Sequence, residues 1–225
     1  SRKIYSFGME MGYVQGNPFS TFKRRTSKSR KTLWTKEQVK QFLDYAYSNF
    51  KTRNLGLIVH MAYEWCQRIG DMRLLKFDCI DFNKGILHLE QSKRRATVHL
   101  PISTELLEML KQQKDDYGFQ EYVAPMPKAI RGAYKPYSLH GVSKIGRNAL
   151  TSAGLPNELR LADLRRTGTT EMVEAGVSMG QIMSVTGHSN PNSVMPYMKN
   201  TYLSAKKALT VRESVDISTR QVPNS

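Results

Sequence analysis

Short runs of strand-forming residues lie close together in the middle of the chain, at residues 77–82, 86–91 and 96–100. Residues 83–85, Asn-Lys-Gly, form a good turn between the first two runs, and residues 92–95 can turn between the second and third. Pro101 ends the last run. Since tight turns join antiparallel neighbours, the pattern predicts a small antiparallel sheet.

Helical periodicity dominates the rest of the chain. Thr35 with Gln38 and Ser178 with Gln181 form capping boxes, which satisfy free N–H groups of a first helical turn, and Ser103 can cap another helix. Helices are predicted over residues 35–50, 54–67, 103–113, 138–152, 163–175, 178–186 and 203–209. The predicted fold class is therefore mainly α with a small antiparallel β-sheet.

The chain is strongly basic. Its 225 residues include 34 Lys and Arg against 19 Asp and Glu, a net charge of +15. An excess of this size attracts polyanions, and it favours nucleic acid as a partner over a merely solvated basic face. A membrane partner is not expected, because no apolar run approaches the ~18 residues of a membrane helix and no basic amphipathic helix stands out.

The composition shifts along the chain predict its organisation. We expect residues 1–31 to be the end of a preceding segment and a basic linker, residues 32–210 the main domain, and residues 211–225 a C-terminal tail. The abrupt start, without a signal-peptide pattern, suggests a piece of a longer protein. Cys66 and Cys79 fit neither a metal pattern nor a disulfide framework, so we expect reduced thiols in a cytoplasmic protein.

One of the eleven tyrosines, Tyr197, follows several cationic residues that occur in separate contexts. Arg68, Lys93 and Arg165 lie upstream of it, and His188 also precedes it. Breaking a DNA phosphodiester without a metal needs an attacking oxygen, stabilisation of charge on the phosphate and a proton for the leaving oxygen. Arginine suits the phosphate oxygens, lysine or histidine suits proton donation, and tyrosine suits attack. These residues therefore form a candidate site for metal-free DNA cleavage.

The segments that carry these residues are MAYEWCQRIGDMRLLKFDCID with Arg68 and Asp71, LEQSKRRATVHLP with Lys93, LADLRRTGTTEMVEAG with Arg165, and VTGHSNPNSVMPYMKN with His188 and Tyr197. In this order they resemble the tyrosine recombinase, or phage integrase, family over about residues 34–209. NPFSTFKR resembles the junction between the family's core-binding and catalytic domains. The resemblance implies the catalytic-domain fold of these DNA breaking-rejoining enzymes over residues 32–210, with residues 1–31 as the end of a core-binding domain.

The resemblance also implies a role for each site residue. Tyr197 would attack a DNA phosphate and form a 3′-phosphotyrosyl bond, while Arg68 and Arg165 clamp the non-bridging oxygens. Lys93 would protonate the leaving 5′-oxygen, and His188 would hydrogen-bond the phosphate. Such a reaction needs no metal, ATP or other cofactor.

Two further positions follow from the same resemblance. Asp71 would orient Arg68 from behind. Ala162 stands where the family usually has a histidine, three residues before Arg165, and it has no proton to move. Asp163 is adjacent, but its charge is wrong for stabilising a phosphate, and His140 is a more distant candidate for that role. Loss of one general acid or base typically slows a reaction by ~10²–10⁴-fold, so a slow enzyme is expected.

Alternatives remain open at two site positions. Arg94 or Arg95 could take the place of Lys93, because all three lie in the same turn. Tyr202 lies five residues from Tyr197, although the interval from His188 favours Tyr197.

The function that the resemblance implies is site-specific DNA recombination or integration, serving a phage or mobile element in a bacterial or phage-infected cell. A DNA-binding protein of the same fold that has lost its chemistry, and a type IB-like topoisomerase, are the alternatives. The expected partners are double-stranded DNA, a homotetramer assembled on DNA, and accessory DNA-bending proteins.

Overall fold

The structure is a computed structural model that describes residues 2–21, 30–93, 95–198 and 202–214, without the side chains of residues 202–204. It contains two compact units, Ser1–Lys31 and Thr32–Ser225. In the first unit, helix α1 covers Arg2–Glu10 and ends before Gly12, which has a φ of 72°. The Asn17 side chain then donates to the Arg2 carbonyl and the Ser6 hydroxyl, which closes the following turn onto the helix.

Most of the second unit is helical. Its helices are α2 (Lys36–Tyr47), α3 (Phe50–Glu64), α4 (Ile69–Met72), α5 (Thr104–Tyr117), α6 (Leu139–Ser152), α7 (Leu164–Ala175), α8 (Met179–Thr186) and α9 (Tyr202–Ser214). Both predicted capping boxes are confirmed, at the starts of α2 and α8, and Ser103 caps α5. Helices α5 and α9 extend beyond their predicted ends. Among the described helices, none is both long and apolar enough to cross a membrane.

The predicted sheet is confirmed, with strands β1 (Ile80–Asp81), β2 (Ile86–Glu90) and β3 (Thr97–Pro101) in antiparallel order. Its buried face pairs Leu87 with Leu100, and Leu89 with Val98. The first strand is shorter than predicted. Residues Phe77–Cys79 form a 3-10 turn instead, because the Cys79 N–H bonds back to the Lys76 carbonyl.

Helix α3 lies at the centre of the second unit and packs against α2, α4, α6 and α7. Its prediction at residues 54–67 was wrong at both ends. Asn49 caps the helix earlier, and Cys66 has a φ of 51°, which no helix can include. Arg68 consequently occupies the position before the first residue of α4, without a side-chain cap, and does not end α3. The fully buried core around α3 includes Phe42, Leu55, Ile58, Met61, Met72, Leu87, Leu106, Leu110, Leu150 and Leu164.

Close packing of α7 on the end of α3 depends on a glycine. A Cβ built on Gly168 would lie 2.5 Å from Cys66 Sγ and 3.2 Å from the Tyr63 carbonyl oxygen. Cys66 is a free thiol and buried, and burial raises its pKa to about 12, so it stays protonated and packs as an apolar group. The Gly168 contact therefore sets the distance between α7 and the chain that leads to Arg68.

We predict that Gly168→Ala lowers the free energy of unfolding by ~1–3 kcal/mol, because the added methyl group overlaps Cys66 Sγ. Adding Cys66→Gly should recover part of this loss, since it removes the sulfur and relieves the positive φ. Urea unfolding of the single and double variants measures both effects.

Gly180→Ala in α8 is the matched control, because nothing lies within 4 Å of its added Cβ. It should leave stability unchanged or raise it by up to ~1 kcal/mol, as alanine favours helix. If Gly168→Ala behaves like this control, the packing argument is wrong.

Candidate active site

The first predicted arginine lies beside the end of β2. Arg68 Nη1 donates to Gln91 Oε1 at 3.0 Å and lies 3.6 Å from Asp71 Oδ2. The Arg68 side chain is 26% exposed, whereas that of Asp71 is 2% exposed. The buried carboxylate is therefore behind the guanidinium, and the exposed edge of Arg68 remains open to a ligand.

Asp71 also ties this arginine to the hairpin between β2 and β3. Its Oδ1 accepts hydrogen bonds from the backbone N–H of Ser92, at 3.2 Å, and from the Ser92 hydroxyl. One carboxylate thus contacts Arg68 with one oxygen and the start of the turn with the other. This geometry supports the orienting role expected for Asp71, which stays a prediction.

Arg165, in the first turn of α7, is only 8% exposed. Its Nη2 donates to the Thr186 carbonyl at 2.6 Å and lies 3.2 Å from His188 Nε2. Burial lowers the pKa of Arg165 to about 10, and the positive charge of Arg68 acts in the same direction. The side chain nevertheless keeps its charge at neutral pH.

The hydrogen bonds around His188 fix its tautomer. The Thr186 hydroxyl donates its single proton to the Ile182 carbonyl at 2.7 Å. It must therefore accept from His188 Nδ1, which lies 2.7 Å away. Nδ1 then carries the ring proton, and Nε2 presents a lone pair toward Arg165. Gly187, which precedes the histidine, has a φ of 67° and turns the chain out of α8.

Tyr197 lies at the end of a 3-10 turn, Met195–Tyr197, which packs against α7. Its ring is half-buried, with its centroid 6.4 Å from that of His188. The guanidinium carbon of Arg166 lies 5.6 Å from the centroid of the Tyr197 ring. This places the phenol at the edge of the group formed by His188 and Arg165. The side chain of Tyr202, the alternative tyrosine, is outside the described residues.

The remaining predicted positions lie further out. Lys93 is exposed in the turn between β2 and β3, and Arg95 is exposed with a φ of 50°. Arg94 falls outside the described residues. Ala162 is exposed in the 3-10 turn that precedes α7, so an imidazole could be accommodated there.

The two alternatives for the role missing at Ala162 differ in exposure. Asp163, next to Ala162, is buried, and His140 is exposed at the start of α6.

The sequence reasoning missed Gln67, Gln91 and Thr186, which are fully buried polar residues at the centre of the site. Each lies within two residues of a predicted site residue, but glutamine and threonine carry no charge or reactive group that would single them out. Within the described ranges, no group of three or more His, Cys, Asp or Glu side chains is arranged as metal ligands.

Comparison with known proteins agrees with this architecture. The model of the phage integrase family matches residues 33–203. The shufflon-specific DNA recombinase of Escherichia coli is 23% identical over 193 residues, which cover 84% of this chain and 46% of that protein. The tyrosine recombinase XerA of Pyrococcus furiosus is 27% identical over 194 residues, covering 82% of this chain and 64% of that one. The chain thus spans about half to two thirds of the length of these relatives.

Solved structures match the fold as well. The Tn1549 transposon integrase, in complex with a circular intermediate DNA, superimposes with a TM-score of 0.70 at 13% identity, over 94% of this chain and 76% of that one. A lambda integrase dimer bound to a COC′ core site gives a TM-score of 0.66 at 22% identity, over 88% and 57% of the two chains. The predicted fold is confirmed, and the chain belongs to the phage integrase family.

Proposed function

We propose that this chain is the catalytic domain of a site-specific DNA recombinase or integrase, which cleaves and rejoins strands through a 3′-phosphotyrosyl intermediate. The observation that carries the proposal is the grouping of Arg165 and His188 beside the ring of Tyr197, with Arg68 near enough for its charge to act on Arg165. Two cations and an imidazole next to a phenol match what in-line attack on a phosphodiester requires.

The proposed cleavage step needs only the site residues, the DNA phosphate and water. The Tyr197 oxygen forms a bond to phosphorus, and the bond from phosphorus to the 5′-oxygen breaks. The tyrosine proton is lost to solvent water, which reaches the half-buried ring, and His188 hydrogen-bonds the phosphate. Arg68 and Arg165 stabilise the charge on the non-bridging oxygens, and Lys93 gives its proton to the 5′-oxygen. The phosphotyrosyl bond retains the energy needed for rejoining.

The proposal extends to the DNA substrate, the assembly on DNA, the domain organisation and the place of action. A net charge of +15 suits double-stranded DNA as the substrate. A related lambda integrase structure is a tetramer bound to a Holliday junction, which supports a homotetramer on DNA here too. We further propose that residues 1–31 are the end of a core-binding domain and a basic linker, residues 32–210 the catalytic domain, and residues 211–225 a C-terminal tail. Accessory DNA-bending proteins, and action in the cytoplasm of a bacterial or phage-infected cell, complete the proposal.

Neither alternative function is favoured. A binding protein without chemistry would have no need of a buried, charged Arg165, since burying a cation costs free energy even where acceptors surround it. Relatives that the chain resembles are named recombinases and an integrase. These observations support recombination over simple relaxation of supercoils.

We predict that Tyr197→Phe abolishes a covalent protein–DNA adduct on a nicked duplex carrying the protein's own crossover site, because the variant lacks the attacking oxygen. DNA affinity should stay within about 2-fold, since a hydroxyl contributes little to a phosphate-dominated interface. A denaturing gel measures the adduct and a mobility shift measures binding.

Tyr202→Phe serves as the control for this experiment, and it should form adduct at the wild-type rate. An adduct that persists in Tyr197→Phe and disappears in Tyr202→Phe would move the nucleophile to Tyr202. A wild-type protein that binds its site and forms no adduct would favour the binding-protein alternative.

We predict that Ala162→His speeds cleavage by about 10-fold or more, because it restores a proton-transfer group where the family usually has one. Ala162→Asn is the control, since an amide is polar but transfers no proton. Single-turnover cleavage rates compare the variants. Equal rates for wild type and Ala162→His would mean that another group already fills this role.

Binding should weaken steeply with salt, because each phosphate contact releases counterions. If about six phosphates are contacted, the logarithm of affinity falls with the logarithm of salt concentration with a slope of about −5. Affinities measured across a salt series test this expectation. A flat response contradicts the argument from basic charge.

A further inference from the structure

A pair of buried glutamines connects the two arginines of the site. Gln67 and Gln91 are both 0% exposed. Gln91 Oε1 accepts from Arg68 at 3.0 Å, and Gln91 Nε2 donates to Gln67 Oε1 at 2.6 Å. Gln67 Oε1 in turn lies 3.5 Å from Arg165 Nη1. The chain of contacts therefore runs from one guanidinium to the other without a break.

The amide protons of both glutamines are fully used. Gln91 Nε2 also donates to the Thr186 carbonyl at 2.8 Å, and Gln67 Nε2 donates to the carbonyls of Trp65 and Val185 at 2.8 and 2.7 Å. Exchanging the nitrogen and the oxygen of either amide would place its N–H groups beside other donors and its oxygen beside carbonyl oxygens. Each amide consequently has one orientation, with its oxygen facing the arginines.

The Thr186 carbonyl joins this network to the other half of the site. It accepts from Gln91 Nε2 and also from Arg165 Nη2, at 2.8 and 2.6 Å. Gly187 follows directly, and a Cβ on it would lie only 2.6 Å from Gln91 Nε2. The bare backbone of Gly187 thus leaves room for the Gln91 amide immediately before His188.

A neutral acceptor is well suited to this position. A carboxylate at residue 91 would pair with Arg68 and reduce the positive charge offered to a phosphate. Its second oxygen would also lie against Gln67 Oε1 and the Thr186 carbonyl oxygen, where Gln91 now donates. An apolar side chain would leave Arg68 without its buried acceptor. An amide oxygen fixes the guanidinium in place and leaves its charge available to a ligand.

We infer that Gln91, supported by Gln67, is a positioning residue that holds Arg68 in register with Arg165 and His188. It acts through the arginines and does not contact the reacting atoms. The inference rests on the proposed function, because the register matters for clamping a scissile phosphate.

The test is Gln91→Met, which keeps the length of the side chain and removes its hydrogen bonds. With nicked duplex at saturating concentration, we expect cleavage to slow by about 10–100-fold, since small misplacement of a clamp has effects of this size. DNA affinity should stay within about 3-fold, because most phosphate contacts are elsewhere. A structural role alone would not separate rate from affinity in this way.

Gln113→Met is a closely matched control. Gln113 is 2% exposed, accepts from Arg53 at 2.8 Å, and donates to Asn54 and the Val123 carbonyl at 3.0 and 2.8 Å. This second buried glutamine repeats the bonding pattern of Gln91 outside the site. Both variants should lose similar thermal stability, but only Gln91→Met should slow cleavage. Equal slowing of both, or no slowing by Gln91→Met, overturns the inference.

A double variant tests whether Gln91 acts through Arg68. In an Arg68→Lys background the guanidinium that Gln91 positions is absent. Adding Gln91→Met to this background should therefore slow cleavage by less than about 3-fold. Independent, multiplied effects would contradict a role exerted through this arginine.

A measurement without DNA separates this inference from the proposed function. Inorganic phosphate is titrated into each protein while the His188 ring is followed by NMR. Wild type and Gln113→Met should saturate at the same concentration, and Gln91→Met should need about 5-fold more. An identical response in all three proteins, including none, overturns the inference, whereas a wild type that forms no adduct counts against the proposed function alone.

Discussion

Burial of the positively charged Arg165 is the constraint on which the rest of the site depends. A guanidinium removed from water loses several kcal/mol of hydration unless hydrogen-bond acceptors replace the lost water. Here the replacements are the Thr186 carbonyl, Nε2 of His188 and, at longer range, Gln67 Oε1. All of these are neutral, so the charge is solvated without being neutralised. A buried carboxylate would also have stabilised the guanidinium, but it would have neutralised the positive charge that binds an anionic ligand.

The helical framework follows from this requirement. The Thr186 carbonyl is available because α8 ends there, at Gly187, where the last carbonyls of a helix have no partner within the helix. Arg165 reaches it from the first turn of α7, and α7 approaches α3 closely because residue 168 is glycine. Helix termini and one missing side chain thus create a polar cluster inside an otherwise apolar core.

Much of this arrangement was predictable from the sequence. Capping boxes at Thr35 and Ser178, and the turn at residues 83–85, predicted element starts correctly, because their signals are local. The end of α3 was misjudged, since the left-handed conformation of Cys66 is stabilised by tertiary packing that no local pattern encodes. The arginines and His188 could be proposed as site residues because their side chains are chemically distinctive, and the structure brings Arg165 and His188 together.

The glutamines that connect them were not found. Their significance comes from burial and from partners up to 118 residues away in the chain, as with Gln67 and the Val185 carbonyl. Met195 is 55% exposed, because the turn that carries Tyr197 lies at the surface. Hydrophobicity alone does not distinguish a surface turn from a buried helix.

The hairpin after β2 places three site residues in one short stretch of chain. Gln91 contacts Arg68, Ser92 contacts Asp71, and Lys93 faces solvent in the turn that follows. Three consecutive residues therefore connect the exposed turn of the hairpin to the groups that hold Arg68 in place. A displacement of this stretch would move Gln91 and Ser92 together, and with them both contacts that support Arg68.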